Sequence, residues 1–190
     1  KTNNKDKIII PNYFGITLAG SGCVDRDTEF MSQNGWKKIS EYKKGDLVLQ
    51  WNPDNSTNFV DPLAYIVEPE DRECYYIDGG NRFVCPDHRM PFYDFNNREN
   101  LPSLTVLTAD MYFKKSRKKN INCKHISYNE KSNQMDLYSI KKVEKLHFPG
   151  LKKYCFTVPS SFWVARRNDF ISIEGNCGKN HSDNIAKSLF

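Results

Sequence analysis

The chain has 190 residues, 38% of them hydrophobic, and its 28 Lys and Arg against 23 Asp and Glu leave a net charge of +5. That length suits one domain of ordinary size with room for a real core. No apolar run approaches a membrane span, and the opening "KTNNKDKIIIPNYFG" has too short an apolar run for a signal peptide, so a soluble, cytoplasmic protein with no membrane partner is expected.

In chain order, most segments read as strands. "DTEFMSQNGWKKI" places an Asn34-Gly35 turn between two short extended runs, a hairpin signal. "KISEYKKGD" suits a short helix. "KKGDLVLQWN" then rises from a Gly-Asp turn into alternating Leu47, Leu49 and Trp51. "ECYYIDGGNRFVCPDH" predicts a second hairpin with Gly79-Gly80 at its tip. The basic run in "YFKKSRKKNINCK" reads as a solvated loop; no recognition module surrounds it, so no nucleic-acid partner is expected. "NEKSNQMD" (129–136) reads as another polar loop. "KKYCFTVPSSFWVARRNDFISIEGN" supplies two or three strands, broken at Pro159-Ser160-Ser161 and at Asn168-Asp169. "HSDNIAKSLF" predicts a helix start with Ser182 or Asp183 as N-cap. Many short strands spaced by turns, with weak helical periodicity throughout, predict an all-β domain.

Cysteines stand at 23, 74, 85, 123, 155 and 177. Without a secretory signal, metal binding or thiol chemistry has equal standing with a disulfide framework. One reading is a zinc-binding structural module built from Cys74, Cys85, His88, Cys123 and His125, which supply C-x-x-H and C-x-H pairs. True structural zinc sites pair their ligands at tighter spacing.

The C-terminal "ISIEGNCGKNHSD" carries Gly178-Lys179 without the glycine-rich run that precedes Gly-Lys in a phosphate loop. "ITLAGSG" (16–22), just before Cys23, supplies such a run. Joined, the flanks read "ITLAGSGCGKNHSDNIAKSLF": apolar strand, glycine-rich turn, Gly-Lys, helix, in the order of a phosphate loop. Ala19 stands where the first glycine belongs, and Asn180 replaces the Ser or Thr that would hold magnesium.

The residues between the halves carry a resemblance. "CVDRDTEFMSQNGWKKISEYKKGDLVL" resembles the first splicing block of an intein, the self-splicing relative of the hedgehog autoprocessing domain. "GNRFVCPDHRM" resembles the second block, with His88 in place and Cys85 where a Thr is usual. "YCFTVPSSFWVARRNDFISIEGNC" resembles the last two blocks, with Cys155 at a usually acidic position and Gly175 where the penultimate His is usual. The resemblance implies the horseshoe-shaped all-β hedgehog/intein (HINT) fold. It also implies three parts: a flanking fragment (1–22), a splicing domain (23–176) and a second flanking fragment (177–190). Residues 96–145 are too few for a homing endonuclease, so a minimal intein is expected. The host is read as a P-loop ATPase, and the joined flanks resemble a phage DNA-packaging terminase large subunit.

The implied chemistry is single-turnover and acts on the chain itself, with no cofactor and no partner beyond its own flanks. Cys23 attacks the carbonyl of Gly22, whose missing side chain leaves the approach open, and forms a thioester. The resemblance gives His88 the role of proton donor to the departing amide nitrogen. Cys177 takes the acyl group, Asn176 cyclises and cuts the Asn176–Cys177 bond, and the thioester collapses to an amide.

The bland readings stand beside these roles. Cys23 suits a buried small hydrophobe and His88 a turn histidine. Cys85 is either a weak S–H donor in place of a hydroxyl or redox-active. Cys155 is either core packing or a substitute for the acid that positions the first thiol. Cys74 and Cys123 read as structural. Gly175 leaves the Asn176 backbone flexible but forgoes a donor, and His147 is either the compensating donor or a surface residue.

Overall fold

The computed structural model describes residues 23–95, 102–116, 122–132 and 134–176. The joined phosphate loop, Gly22, Cys177 and the helix expected after His181 lie outside the described residues.

Fifteen strands and one α-helix are present among the described residues, all strand pairs being antiparallel. β1 (Glu29–Ser32) and β2 (Gly35–Lys38) form the first hairpin. Its loop is Gln33-Asn34, one residue earlier than the Asn34-Gly35 turn expected from sequence; Gly35 follows at φ 101°, which glycine adopts without strain. The short helix expected over "KISEYKKGD" contracts to a 3-10 turn at Ile39–Glu41. β3 (Val48–Trp51) and β4 (Thr57–Val60) follow, then β5 (Ala64–Pro69).

The hairpin of β6 (Cys74–Ile77) and β7 (Arg82–Val84) turns through Asp78, Gly79 and Gly80, all at positive φ, as the Gly-Gly signal predicts. β8 (Arg89–Asp94) and β9 (Ser103–Thr108) lead into α1 (Ala109–Ser116). This helix takes in part of the basic run expected to be loop: Ala109, Tyr112 and Phe113 are buried, while Lys114 and Lys115 occupy its last turn, where cations suit the helix dipole. β10 (Cys123–Asn129), β11 (Gln134–Tyr138) and β12 (Val143–Leu146) come next, with the polar 129–136 stretch at the β10–β11 tip.

β13 (Lys152–Thr157), β14 (Phe162–Arg167) and β15 (Phe170–Gly175) close the described chain. β14 and β15 pair through a two-residue loop, Asn168-Asp169, at φ 47° and 60°, which matches the right-handed strand twist.

The largest sheet runs β2-β1-β14-β15-β10-β8-β9, with β3 paired to β14 and β4, and β11 on β10. Its faces bury two apolar clusters, one around Phe30, Phe92, Phe156 and Trp163, the other around Trp51, Leu104, Ile126 and Ile173. Two smaller groups, β12-β6-β7 and β13-β5, are joined by a single residue: Val24 bridges Val84 on one side and Tyr154 on the other. The segment that opens the described chain therefore lies wedged between β7 and β13.

Candidate functional site

Cys23 is fully buried, and the backbone on both sides of it is fixed. Val24 exchanges both of its backbone hydrogen bonds with Tyr154, at 2.9 and 2.8 Å, and the Cys85 N–H donates to the Cys23 carbonyl at 3.0 Å. Two residues on, the Asp25 carboxylate accepts from Arg167 Nη2 at 2.9 Å and from Thr28 Oγ1 at 2.8 Å. Arg167 also donates to the Gly80 carbonyl, so the β14–β15 hairpin end clamps the start of the domain.

These registers place four thiols in one row. Val24 opposite Tyr154 and Val84 puts Cys23 opposite both Cys155 and Cys85, and Tyr75 opposite Val84 puts Cys74 opposite Cys85. The order across the strands is Cys155, Cys23, Cys85, Cys74; all are buried in one cluster, and no disulfide joins them. Cys155 Sγ lies 3.2 Å from the Phe156 carbonyl. The Cys85 thiol is pushed strongly up by its hydrogen bond with Cys74 and by burial. That environment favours the protonated thiol, a weak donor as the sequence reading of this position allowed.

"CPDH" makes a tight turn: the His88 N–H donates to the Cys85 carbonyl at 3.0 Å, with Pro86 at the position its fixed φ suits. Helix α1 holds this turn from behind. Its first N–H groups, which no helical carbonyl can satisfy, donate to His88 (from Ala109, 2.9 Å) and Pro86 (from Asp110, 2.9 Å). One residue, Cys85, thus links the Cys23 carbonyl to His88 through its N–H and its carbonyl.

The His88 ring is completely buried, and Nε2 lies 2.6 Å from Glu174 Oε2. Glu174 is missing from the residues singled out by sequence. It is itself buried, bound by Arg82 through Nε at 2.7 Å and through Nη2, and by Ser172 Oγ at 2.5 Å. Burial alone would raise the carboxyl; the Arg82 charge and the His88 bond outweigh it and hold Glu174 well below the usual carboxylate range. An ionised carboxylate only accepts, so Nε2 carries the proton of that bond. Nδ1, the other ring nitrogen, is buried with no hydrogen-bond partner among the described residues.

Asn176 follows β15 directly. Its N–H donates to Ser161 at 2.9 Å, its Nδ2 donates to the Val158 carbonyl at 2.8 Å and its Oδ1 accepts from the Val158 N–H at 2.9 Å. Both ends of the side-chain amide are therefore held by the backbone of one residue. Gly175 pairs with Phe162, and a Cβ added there would lie 2.6 Å from the Arg89 carbonyl oxygen. β8 fills the space a histidine at this position would need. His147 lies on the exposed connection after β12, and the described contacts of Asn176 do not include it.

The five residues of the zinc-module reading do not assemble. Cys74 and Cys85 meet, but His88 turns to Glu174, and His125 hydrogen-bonds Pro91 through Nδ1 at 3.0 Å. Burial first, then the nearby Arg82 charge, push His125 down to about 3. A base whose folded pKa lies below its unfolded value of 6.5 contributes stability that is present above 6.5 and lost as pH falls toward the folded value. The unfolding free energy of the full chain, read from denaturant curves, should therefore drop between pH 6.5 and 4, by on the order of 3 kcal/mol from this group. His125→Asn should flatten that segment of the profile; an unchanged slope would assign it to other groups.

The architecture defined by these sheets and this wedge is the hedgehog/intein (HINT) fold. The AceL NrdHF class 3 split intein matches with a TM-score of 0.64 at 16% identity, covering 81% of this chain and 97% of that one. The KlbA intein precursor from Methanococcus jannaschii matches with a TM-score of 0.63 at 12% identity, covering 87% and 97%. A bacterial intein-like domain from Clostridium thermocellum gives 0.53 at 16%, covering 80% and 97%. No protein-family model and no curated protein matches the sequence.

Proposed function

We propose that the chain is a minimal self-splicing element that excises residues 23–176 and joins residues 1–22 to 177–190. The observation that supports this most is the path from Cys23 through the Cys85 backbone to His88, and from His88 through Glu174 to Asn176 two residues on. Both ends of the excised segment are thereby tied to one buried histidine. In an intein-type fold this is what the two cleavages require.

The Gly22–Cys23 amide is planar and resonance-stabilised, so its opening by a thiol needs the departing nitrogen to receive a proton. His88 Nδ1 is the group for this task. Glu174, bound at Nε2, orients the ring and stabilises the positive charge it carries while the proton moves, as a carboxylate does in a Ser-His-Asp triad. Cys23 Sγ passes its proton to His88 Nδ1 and attacks the Gly22 carbonyl carbon; the imidazolium hands that proton from Nδ1 to the Cys23 nitrogen as the C–N bond breaks, and the Cys23 amine leaves. The Cys177 thiol then displaces Cys23 from the thioester. Asn176 Nδ2 attacks its own carbonyl carbon, releasing the Cys177 amine, and that amine captures the acyl group as an amide. The strand register, which sets Cys155 opposite Cys23 in one buried cluster, supports Cys155 as the residue that stands in place of an acid beside the reacting thiol. No external partner enters, and among the described residues no helix is long and apolar enough to cross a membrane.

Intact mass of the purified chain after incubation with reductant tests this. An excised species of residues 23–176 and a ligated peptide of the two flanks are expected, absent in Cys23→Ala and in Asn176→Ala. A precursor of unchanged mass under all reducing conditions would overturn the assignment. The flanks' phosphate-loop pattern supports a P-loop ATPase as host, with a terminase large subunit as the particular form.

A further inference from the structure

The segment that carries Cys23 is held by little strand pairing of its own. Among the described residues Val24 alone bridges the neighbouring strands, to Val84 on one side and Tyr154 on the other. A longer strand keeps its register through a series of alternating side chains, and a single bridged residue has no such series. Asp25, the next residue, supplies the missing anchor. Its carboxylate is buried, at 6% exposure, and accepts from Arg167 Nε at 3.2 Å and Nη2 at 2.9 Å as well as from Thr28. Two prongs of a guanidinium on one carboxylate fix orientation as well as distance.

The third nitrogen of Arg167 reaches the β6–β7 turn. Nη1 donates to the Gly80 carbonyl, which also accepts from Asn168 Nδ2 at 3.0 Å, and the guanidinium lies 5.8 Å from the centre of the Tyr76 ring. A Cβ on Gly80 would stand 2.9 Å from Nη1, so this approach needs a glycine. Both segments tied by Arg167 adjoin the first reacting bond. Asp25 follows Cys23 by two residues, and the Gly80 turn leads into β7, whose Val84 bridges Val24 and precedes the Cys85 N–H that binds the Cys23 carbonyl. The bonds of Asn176 go elsewhere, to Val158 and Ser161, at the open end of the β14–β15 hairpin where Gly175 pairs with Phe162. The turn end of that hairpin thus holds the first residue of the domain, and its open end holds the last.

We propose that Arg167 is a positioning residue for the first cleavage alone, setting the Cys23 nitrogen against His88 through Asp25 and the Gly80 turn, while the cut after Asn176 proceeds without it. Reacting atoms must sit within about 3–3.5 Å, and a misplacement of about 1 Å costs about 10²-fold in rate. A chain without Arg167 therefore severs its C-terminal flank but seldom joins the two flanks. The kinetic half of this inference rests on the splicing reading; the clamp itself does not.

Two half-reactions and one exchange measurement on the full chain test it. Thiol-induced release of residues 1–22 is read in an Asn176→Ala background, and cleavage after Asn176 in a Cys23→Ala background. Arg167→Met is paired with Asp25→Asn so that no buried charge is left without its partner. This double change should slow the first half-reaction by about 10²-fold at equal folded fraction and leave the second unchanged. Arg167→Lys, which keeps the charge and loses the fork, should give a first-cleavage rate between the two, and it carries the same comparison if the double variant folds poorly. Hydrogen exchange of the precursor should show lost protection at the Val24 and Cys85 amides and retained protection at those of Val158 and Asn176. Equal slowing of both half-reactions, an unmoved first cleavage, or protection lost alike at all four amides would overturn the proposal. A wild-type chain that never releases residues 1–22, with protection lost only at Val24 and Cys85 in the variant, sinks the splicing reading and leaves the clamp. A chain that splices while those two amides stay protected in the variant sinks the clamp alone.

Discussion

Glu174→Gln should slow thioester formation by about 10²–10⁴-fold, the range that a positioned acid–base pair contributes. The amide keeps the shape of the carboxylate but offers His88 Nε2 either an N–H or a neutral oxygen, so the ring loses both its fixed tautomer and its counter-charge. The rate is read as thiol-induced release of residues 1–22 from an Asn176→Ala precursor, which isolates the first step. The same change leaves Arg82 buried without its partner, and breaking a buried ion pair from one side costs about 3–5 kcal/mol. Adding Arg82→Met to Glu174→Gln separates the two effects. Stability should return, because an apolar side chain of similar volume replaces an unpaired guanidinium, while the rate should stay low. Wild-type rates in a Glu174→Gln chain of equal folded fraction would show that His88 acts without its carboxylate.

Gly175→His carries the second large effect, and its sign is opposite to what restoring a usual histidine suggests. A Cβ at this position meets the Arg89 carbonyl oxygen at 2.6 Å and the Arg89 Cβ at 2.8 Å. Real Cβ atoms do not approach so closely, and the neighbour is backbone, so β8 and β15 must part. Overpacking of this kind costs about 1–3 kcal/mol, and here the displaced strand leads directly from His88. The expected result is a destabilised chain with slower release of the C-terminal flank, read as a lower denaturant midpoint and a longer half-time for cleavage after Asn176. Gly175→Ala should show the same direction at smaller size. Faster cleavage in Gly175→His would mean that β8 yields and that the missing donor limits the native rate.

Much of this arrangement is legible in sequence where the signal is local. The Gly79-Gly80 and Asn168-Asp169 turns declare themselves because few residues adopt positive φ. His88 is marked by the turn that Pro86 sets, and Cys23 and Asn176 by their positions at the two ends of a recognisable segment. Glu174 is hidden because β15 is buried on both faces: Ser172 and Glu174 alternate with Ile173 as if they faced solvent, yet all three are buried. The available signal was a charge of opposite sign in each of two strands otherwise apolar, Arg82 beside Phe83 and Val84, and Glu174 beside Ile173. The thiol row is hidden for another reason. Strand register, not spacing along the chain, aligns Cys155, Cys23, Cys85 and Cys74, and register across four strands follows only from the closed fold. Helix α1 was concealed by its lysines, although Ala109, Tyr112 and Phe113 stand at helical spacing.

An insertion that removes itself harms its host most when it cuts downstream too early, leaving two severed pieces that can no longer be joined. The grip of the Val158 backbone on both ends of the Asn176 amide bears on that hazard. Under the proposed splicing reading, the two hydrogen bonds that hold this amide, each worth about 0.5–1.5 kcal/mol net, oppose the turn of Nδ2 toward its own carbonyl carbon. Val158 directly follows β13, the strand whose Cys155 stands opposite Cys23. A rearrangement at the first thiol thus has a short covalent path to the catch on the last residue. Under the proposed splicing reading, one strand couples the two scissions.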